Sequence, residues 1–144
     1  MRVFLLFIFV SSVAISLNAQ NGIYTCGRQA YKAVNSVNNT EGHDKCRITI
    51  RIYGVGGNDF VLVETQPDST KKIISCKWKI ISELQMSPNA TGKKIFKSYN
   101  AILQSDNKTY QISIIKNVKS GKITIAAINN DGATNWFYDL KKVN

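Results

Sequence analysis

The residues from Thr109 to Leu140, TYQISIIKNVKSGKITIAAINNDGATNWFYDL, repeat a pattern that restricts the fold of the whole chain, because each alternating apolar run ends in a polar turn. Alternation with a period of two places every second side chain of a strand on one face. The pattern predicts three consecutive strands, with Gly121 and Gly132 giving the turns their backbone freedom. The side chains expected to share a face are Tyr110, Ile112 and Ile114, then Ile123, Ile125 and Ala127, then Trp136, Tyr138 and Leu140.

One helix and further strands are predicted upstream. Between Gly27 and Asn38 an apolar stripe at helical spacing consists of Ala30, Ala33, Val34 and Val37. Alternating or β-rich runs predict strands at Arg47 to Tyr53, Phe60 to Thr65, Lys71 to Ile81 and Ile95 to Leu103. We therefore predict an α+β fold in which one N-terminal helix packs on a twisted antiparallel sheet of six or so strands.

The first 19 residues have the pattern of a secretory signal. Arg2 precedes the apolar run from Val3 to Val10, and small or polar residues follow as far as Ala19. We expect cleavage after Ala19, which leaves residues 20–144 as one domain with no membrane anchor. We expect this mature protein to be a secreted monomer. The sequons at Asn38, Asn89 and Asn107 would then be glycan acceptors, with an occupancy that the sequence leaves open.

Three cysteines follow the predicted signal, at Cys26, Cys46 and Cys76. In a secreted protein one disulfide is expected, and all three pairings remain open. With a single histidine, these cysteines make a poor zinc set, so no metal site and no cofactor are predicted.

The chain offers little for acid–base catalysis. His43 is the only histidine and lies in a polar stretch, where a solvated side chain is the simplest interpretation. Its three glutamates, Glu41, Glu64 and Glu83, are scattered. Neither a nucleophile elbow nor a carboxylate pair stands out, so the residues themselves do not indicate an enzyme.

Basic side chains indicate a different activity. The net charge of the whole chain is +10, and it is about +9 without Arg2, which favours polyanionic partners. A solvated basic surface is the alternative. The residues that would contact RNA phosphates are Arg47 and Arg51, Lys77 and Lys79, and Lys116, Lys119 and Lys122.

Two stretches of the chain resemble a known family. Tyr24-Thr25-Cys26, soon after the signal, and ISIIKNVKSGKITIAAINNDGATNWF resemble the ribonuclease-like secreted effectors of powdery mildew fungi, which use the scaffold of the T1/F1 microbial ribonucleases. The resemblance covers about half of the chain. It implies a microbial ribonuclease-like domain and a virulence effector that enters the cytoplasm of the host plant cell.

The resemblance also implies that catalysis is lost. Tyr99, Gln111 and Asn129 stand where the ribonucleases carry catalytic groups, and one histidine cannot supply their two-histidine mechanism. The expected function is therefore that of a pseudoenzyme that binds RNA, or host proteins including an intracellular immune receptor. The alternatives are an active ribonuclease with an unrecognised site and an unrelated extracellular ligand-binding or inhibitor protein.

Overall fold

The computed structural model describes residues 21–34, 36–54, 56–67, 72–84 and 94–143, with the backbone alone for 94–96. These described residues form β-strands and no helix. The strands are β1 (Gly22–Cys26), β2 (Arg28–Lys32), β3 (Thr40–Gly42), β4 (Lys45–Arg51), β5 (Phe60–Gln66), β6 (Ile74–Leu84), β7 (Lys94–Leu103), β8 (Thr109–Asn117), β9 (Ile123–Asn129) and β10 (Thr134–Lys142). The described part of the chain contains no helix long and apolar enough to cross a membrane.

The sheet closes on itself. From β4 to β10 each strand pairs antiparallel with the next, β1 pairs with β4, and β1 also pairs with β10 through Tyr24–Lys142 and Thr25–Lys141. In the described residues this makes a closed eight-stranded barrel. Two extra strands extend the sheet. After Gly27 the chain continues into β2, which pairs with the part of β10 that β1 leaves free, and β3 pairs with β2. Closure removes strand edges that would otherwise be unpaired.

This all-β barrel shows that the predicted α+β, ribonuclease-like fold is wrong. The segment expected to be helical contains β2, whose Gln29 and Ala30 are both buried. Val34 and Val37, which the helix would have turned to the core, are 43% and 91% exposed. A helix of about three turns is marginal without packing, and here the chain gains more by pairing with β10.

Side chains fill the barrel interior. Inward residues alternate along the strands except at two bulges, and the largest fully buried apolar side chains are Ile48, Ile50, Val61, Trp78, Ile112, Ile114 and Ile125. The ring of Trp78 packs edge-on against Tyr110 at 6.0 Å and against Phe137 at 6.5 Å between ring centroids. An eight-stranded barrel is just wide enough for side chains to fill it.

Two bulges change which side chains face inward. In β10 the register with β9 shifts between Phe137 and Leu140, and Asp139 has a left-handed backbone with φ of 52°. Phe137 and Leu140 both point inward as a result. Trp136 and Tyr138 lie outside with their rings stacked at 6.1 Å, so the prediction that they share a face with Leu140 is wrong.

The second bulge lies in β6, where the register with β7 shifts between Ile80 and Ser82. It pairs Glu83 with the buried Tyr99 and continues the strand to Leu84, past the predicted end at Ile81. The other strand predictions are confirmed within a few residues, including the three from Thr109 onward. The predicted signal, its cleavage site and the Asn89 sequon lie outside the described residues, whereas Asn38 and Asn107 are exposed.

Candidate polyanion-binding face

Three basic side chains and one aromatic ring lie together on the outer surface of β4, β5 and β6. In the antiparallel register Arg51 is opposite Phe60, and Phe60 is opposite Lys79. Lys77 lies two residues before Lys79 and therefore on the same side of β6. We call Arg51, Phe60, Lys77 and Lys79 the basic face.

Aromatic rings hold two of these cations. The ammonium nitrogen of Lys77 is 4.4 Å from the centroid of the Phe60 ring. The guanidinium carbon of Arg51 is 5.9 Å from the centroid of Tyr53, a side chain that is 57% exposed. Both distances fall within the range of cation–π attraction. The rings thus restrict two long side chains that would otherwise sample many rotamers.

Among the residues that the structure describes, no carboxylate forms an ion pair with a cation of the basic face. The ion pairs found among the described residues join Arg28 to Glu41, Lys97 to Glu83, Lys108 to Asp131 and Lys122 to Asp139. Within that part of the chain, none of these pairs includes Arg51, Lys77 or Lys79. Neighbouring strands are about 4.8 Å apart and residues rise about 3.3 Å along a strand, so the Cα atoms of these three cations lie within about 12 Å of one another. Their charges create a positive local potential.

A loop and a turn border the basic face and form a depression of about 340 Å³ with it. Asn58 comes from the β4–β5 loop, and Gln104 comes from the β7–β8 turn, where its backbone N–H donates to the Lys77 carbonyl at 3.0 Å. These amides add neutral hydrogen-bonding groups beside the cations. Polar side chains of this kind can contact sugar and phosphate oxygens.

Asp59 is the acidic residue in this lining, and its carboxylate is engaged elsewhere. One oxygen accepts the backbone N–H of Tyr53 at 2.9 Å and the other that of Gly54 at 2.7 Å. The backbone carbonyl of Asp59 also accepts the N–H of Ile80 at 3.0 Å. The 92% burial of Asp59 is therefore compensated by hydrogen bonds. Its role is to hold the β4–β5 loop, and with it Tyr53, beside Arg51.

The other basic residues predicted to contact RNA lie apart from this group. Arg47 is on β4, four residues and thus about 13 Å before Arg51, and it is opposite Glu64. Lys116, Lys119 and Lys122 lie at the β8–β9 hairpin, two strands away from β6 in the sheet. The structure therefore brings together Arg51, Lys77 and Lys79, and it leaves four of the predicted residues outside.

The three residues aligned with ribonuclease catalytic positions do not share a surface. Tyr99 and Asn129 are buried inside the barrel, whereas Gln111 alternates with the buried Tyr110 and Ile112 and so points outward. Asn129 has a local role, since its side-chain oxygen accepts the N–H of Asp131 at 2.6 Å in the β9–β10 turn. No common site for these three residues exists in this barrel.

An ion pair lies beside a buried phenol where β6 pairs with β7. There Lys97 donates to Glu83 at 2.5 Å, beside the buried Tyr99. Burial, followed by the nearby carboxylates of Glu83 and Asp59, raises the pKa of Tyr99 to about 12. At neutral pH this phenol keeps its proton, so it does not serve as a base. His43 is exposed between β3 and β4.

The cysteines are thiols that point toward the barrel interior. Cys26 and Cys46 are buried and Cys76 is partly buried. Burial raises the pKa of all three, that of Cys46 to about 12. The described residues contain no group of three or more metal-ligating side chains.

Phe60 and Gln104 are among the contributors to this site that the sequence interpretation missed. Phe60 begins a predicted strand in phase with Leu62 and Glu64, and that phase indicates an outward ring. Gln104 gives no local signal, because only the pairing of β6 with β7 brings it to Lys77. Comparison with known protein families, curated proteins and solved structures finds no match for this chain.

Proposed function

We propose that this protein is a non-catalytic binding protein that holds single-stranded RNA by its phosphates on the basic face. The observation that carries the proposal is the grouping of Arg51, Lys77 and Lys79 without a carboxylate partner among the described residues. Lysine and arginine contacts to phosphates supply most of the free energy of sequence-independent binding.

Aromatic side chains favour RNA over a polyanion without bases. Tyr53 is 57% exposed next to Arg51 and offers a ring to a base, whereas the ring of Phe60 holds Lys77 in place. Proteins that bind single strands commonly combine a positive surface with rings on which bases stack. Secretion stays a prediction from residues 1–19. The effector role in a plant host came from a ribonuclease resemblance whose fold this chain does not have, so it does not support RNA binding.

The test is a titration of a fluorescein-labelled oligouridylate of about 12 nucleotides with the full chain at several salt concentrations. We expect micromolar dissociation constants and a linear decrease of log K with log salt. The double variant Lys77→Gln/Lys79→Gln should reduce the slope by about 1.4, because each phosphate contact on a single strand contributes about 0.7.

The matched control is Lys116→Gln/Lys119→Gln, which removes the same charge from the β8–β9 hairpin. We expect it to keep most of the salt slope. If the two double variants lost equal amounts of salt slope, binding would depend on the overall charge of the protein. This result would contradict the assignment to the basic face. Equal affinity for a sulfated polysaccharide that lacks bases would contradict the assignment to RNA.

A further inference from the structure

Cys26 and Cys46 are opposite each other on neighbouring strands. The antiparallel register of β1 and β4 makes them direct partners, and both are at least 95% buried inside the barrel. Directly opposed residues of an antiparallel pair have Cα atoms about 4.5–5.5 Å apart. That separation falls within the range of about 4.4–6.8 Å that disulfides require, so no backbone movement is needed.

Cys76 does not have such a partner. Its register partner is Val63 on β5, whereas Cys46 is opposite Thr65 of the same strand. The whole of β5 therefore separates Cys76 from Cys46, and two strand spacings amount to about 9.6 Å. Cys26 is one strand further along the sheet. Cα atoms more than about 7 Å apart cannot be bridged without moving the backbone.

The thiol of Cys26 must rotate for the bond to form. Its sulfur lies 3.1 Å from the Arg28 carbonyl oxygen and 3.3 Å from that of Tyr138, so it donates toward the β2 and β10 side. Thiols are weak hydrogen-bond donors, so little is lost when the side chain changes rotamer. Burial also raises the pKa of both thiols and leaves few thiolates in the closed barrel. Oxidation should therefore occur before the barrel closes around them.

We propose that Cys26 and Cys46 form a disulfide when the chain folds in the presence of a small disulfide oxidant, and that Cys76 stays a free thiol. The two thiols lose two protons and two electrons as their sulfurs join. Oxidised glutathione takes up both and is reduced to two glutathione molecules. Because β1 is the strand that closes the barrel on β10, the bond fastens the closing strand to β4.

The test is to refold the full chain from denaturant in a buffer of oxidised and reduced glutathione, block free thiols and digest without reduction. Trypsin cuts after Arg28, Lys45, Arg47, Lys72 and Lys77, which separates the three cysteines. We expect a linked species of the peptide ending at Arg28 and the dipeptide Cys46-Arg47, with Cys76 alkylated in the peptide 73–77. Any other pairing, or only mixed disulfides with glutathione, would overturn the proposal.

A variant separates the pairing from chance oxidation. Cys76→Ser should give the same linked species, and the melting temperature of the oxidised variant should fall by about 10 °C on reduction, as expected when a loop of about 20 residues is released. An unchanged melting temperature would contradict a bond that fastens the closing strand.

Discussion

Lys77 places its ammonium nitrogen 4.4 Å from the centre of the Phe60 ring, on the outer surface of two paired strands. The ring belongs to β5 and the cation to β6, so the position of the charge depends on strand pairing rather than on a flexible loop. A cation held in this way loses less side-chain entropy when it binds a phosphate.

Replacing Phe60 by leucine should weaken RNA binding while leaving the phosphate contacts in place. The variant removes a cation–π attraction of about 0.5–1 kcal/mol, so we expect a two- to fivefold lower affinity. The salt slope should stay unchanged, since Lys77 keeps its charge. Fluorescence titration at several salt concentrations measures both quantities. A reduced slope would mean that Phe60 acts on the number of contacts, which contradicts a positioning role.

Substitutions of the two buried serines between β7 and β8 should have non-additive effects on the free energy of unfolding. The hydroxyls of Ser98 and Ser113 are 2.8 Å apart, and both residues are more than 90% buried. Ser113→Ala alone leaves the Ser98 hydroxyl without this partner and should cost about 1–3 kcal/mol of the free energy of unfolding. The double change to alanine should cost clearly less than the sum of the two single changes. Urea unfolding of the four proteins tests this, and additive costs would contradict it.

The free energy of unfolding should fall at alkaline pH, because the buried Tyr99 ionises at a lower pH in the unfolded chain than in the folded protein. The pKa of Tyr99 is about 12 in the folded protein against an ordinary tyrosine pKa of 10.0, so the folded state binds the phenol proton more tightly. This contribution is complete below about pH 10 and is lost as the pH rises toward 12.

Urea unfolding at pH 8 and at pH 11 measures the effect. Tyr99→Phe should lose less stability between the two pH values than the original chain does. Tyr53→Phe, at an exposed site, is the control and should behave like the original. The prediction fails if Tyr99→Phe has the same pH dependence as the control.

Gly42 should not tolerate a side chain. A Cβ atom there would lie 3.2 Å from the side-chain oxygen of Gln29 and 3.3 Å from a ring carbon of Tyr31. Gln29 is fully buried and cannot easily move, because its amide donates to the Asp44 carbonyl at 2.7 Å. We expect Gly42→Ala to lower the free energy of unfolding by about 1–2 kcal/mol.

Gly27→Ala is the matched control, since no atom lies within 4 Å of its Cβ position and its φ is not positive. It should leave stability unchanged or raise it by up to about 1 kcal/mol. Equal losses in the two variants would indicate a general cost of removing glycine near β2 rather than crowding at Gly42.

The sequence predicts the strands of this protein better than their assembly. Alternation at Cys46, Ile48 and Ile50 identifies β4, because the local pattern and the burial of these side chains agree. The apolar spacing that ends at Val37 led to a wrong prediction of a helix. The strand conformation of β2 depends on pairing with β10, about a hundred residues away in the sequence. The inward turn of Leu140 depends on a bulge at Asp139, which no period-two pattern contains. The basic face was only partly predicted. Alternation within each strand indicates which side chains point outward, whereas the register between strands decides which residues become neighbours of β6.

The pairing of β1 with β10, through Tyr24 and Lys142, also determines when this protein can acquire its structure. The pairing joins residues at opposite ends of the described chain, so closure of the barrel needs contacts that are distant in sequence and should be a slow step of folding. While β10 is still within the ribosome, β1 has no β10 strand with which to pair. The barrel can therefore close only after β10 has been synthesised, and a variant that lacks the β1 partners Lys141 and Lys142 should expose two strands to pairing with other molecules.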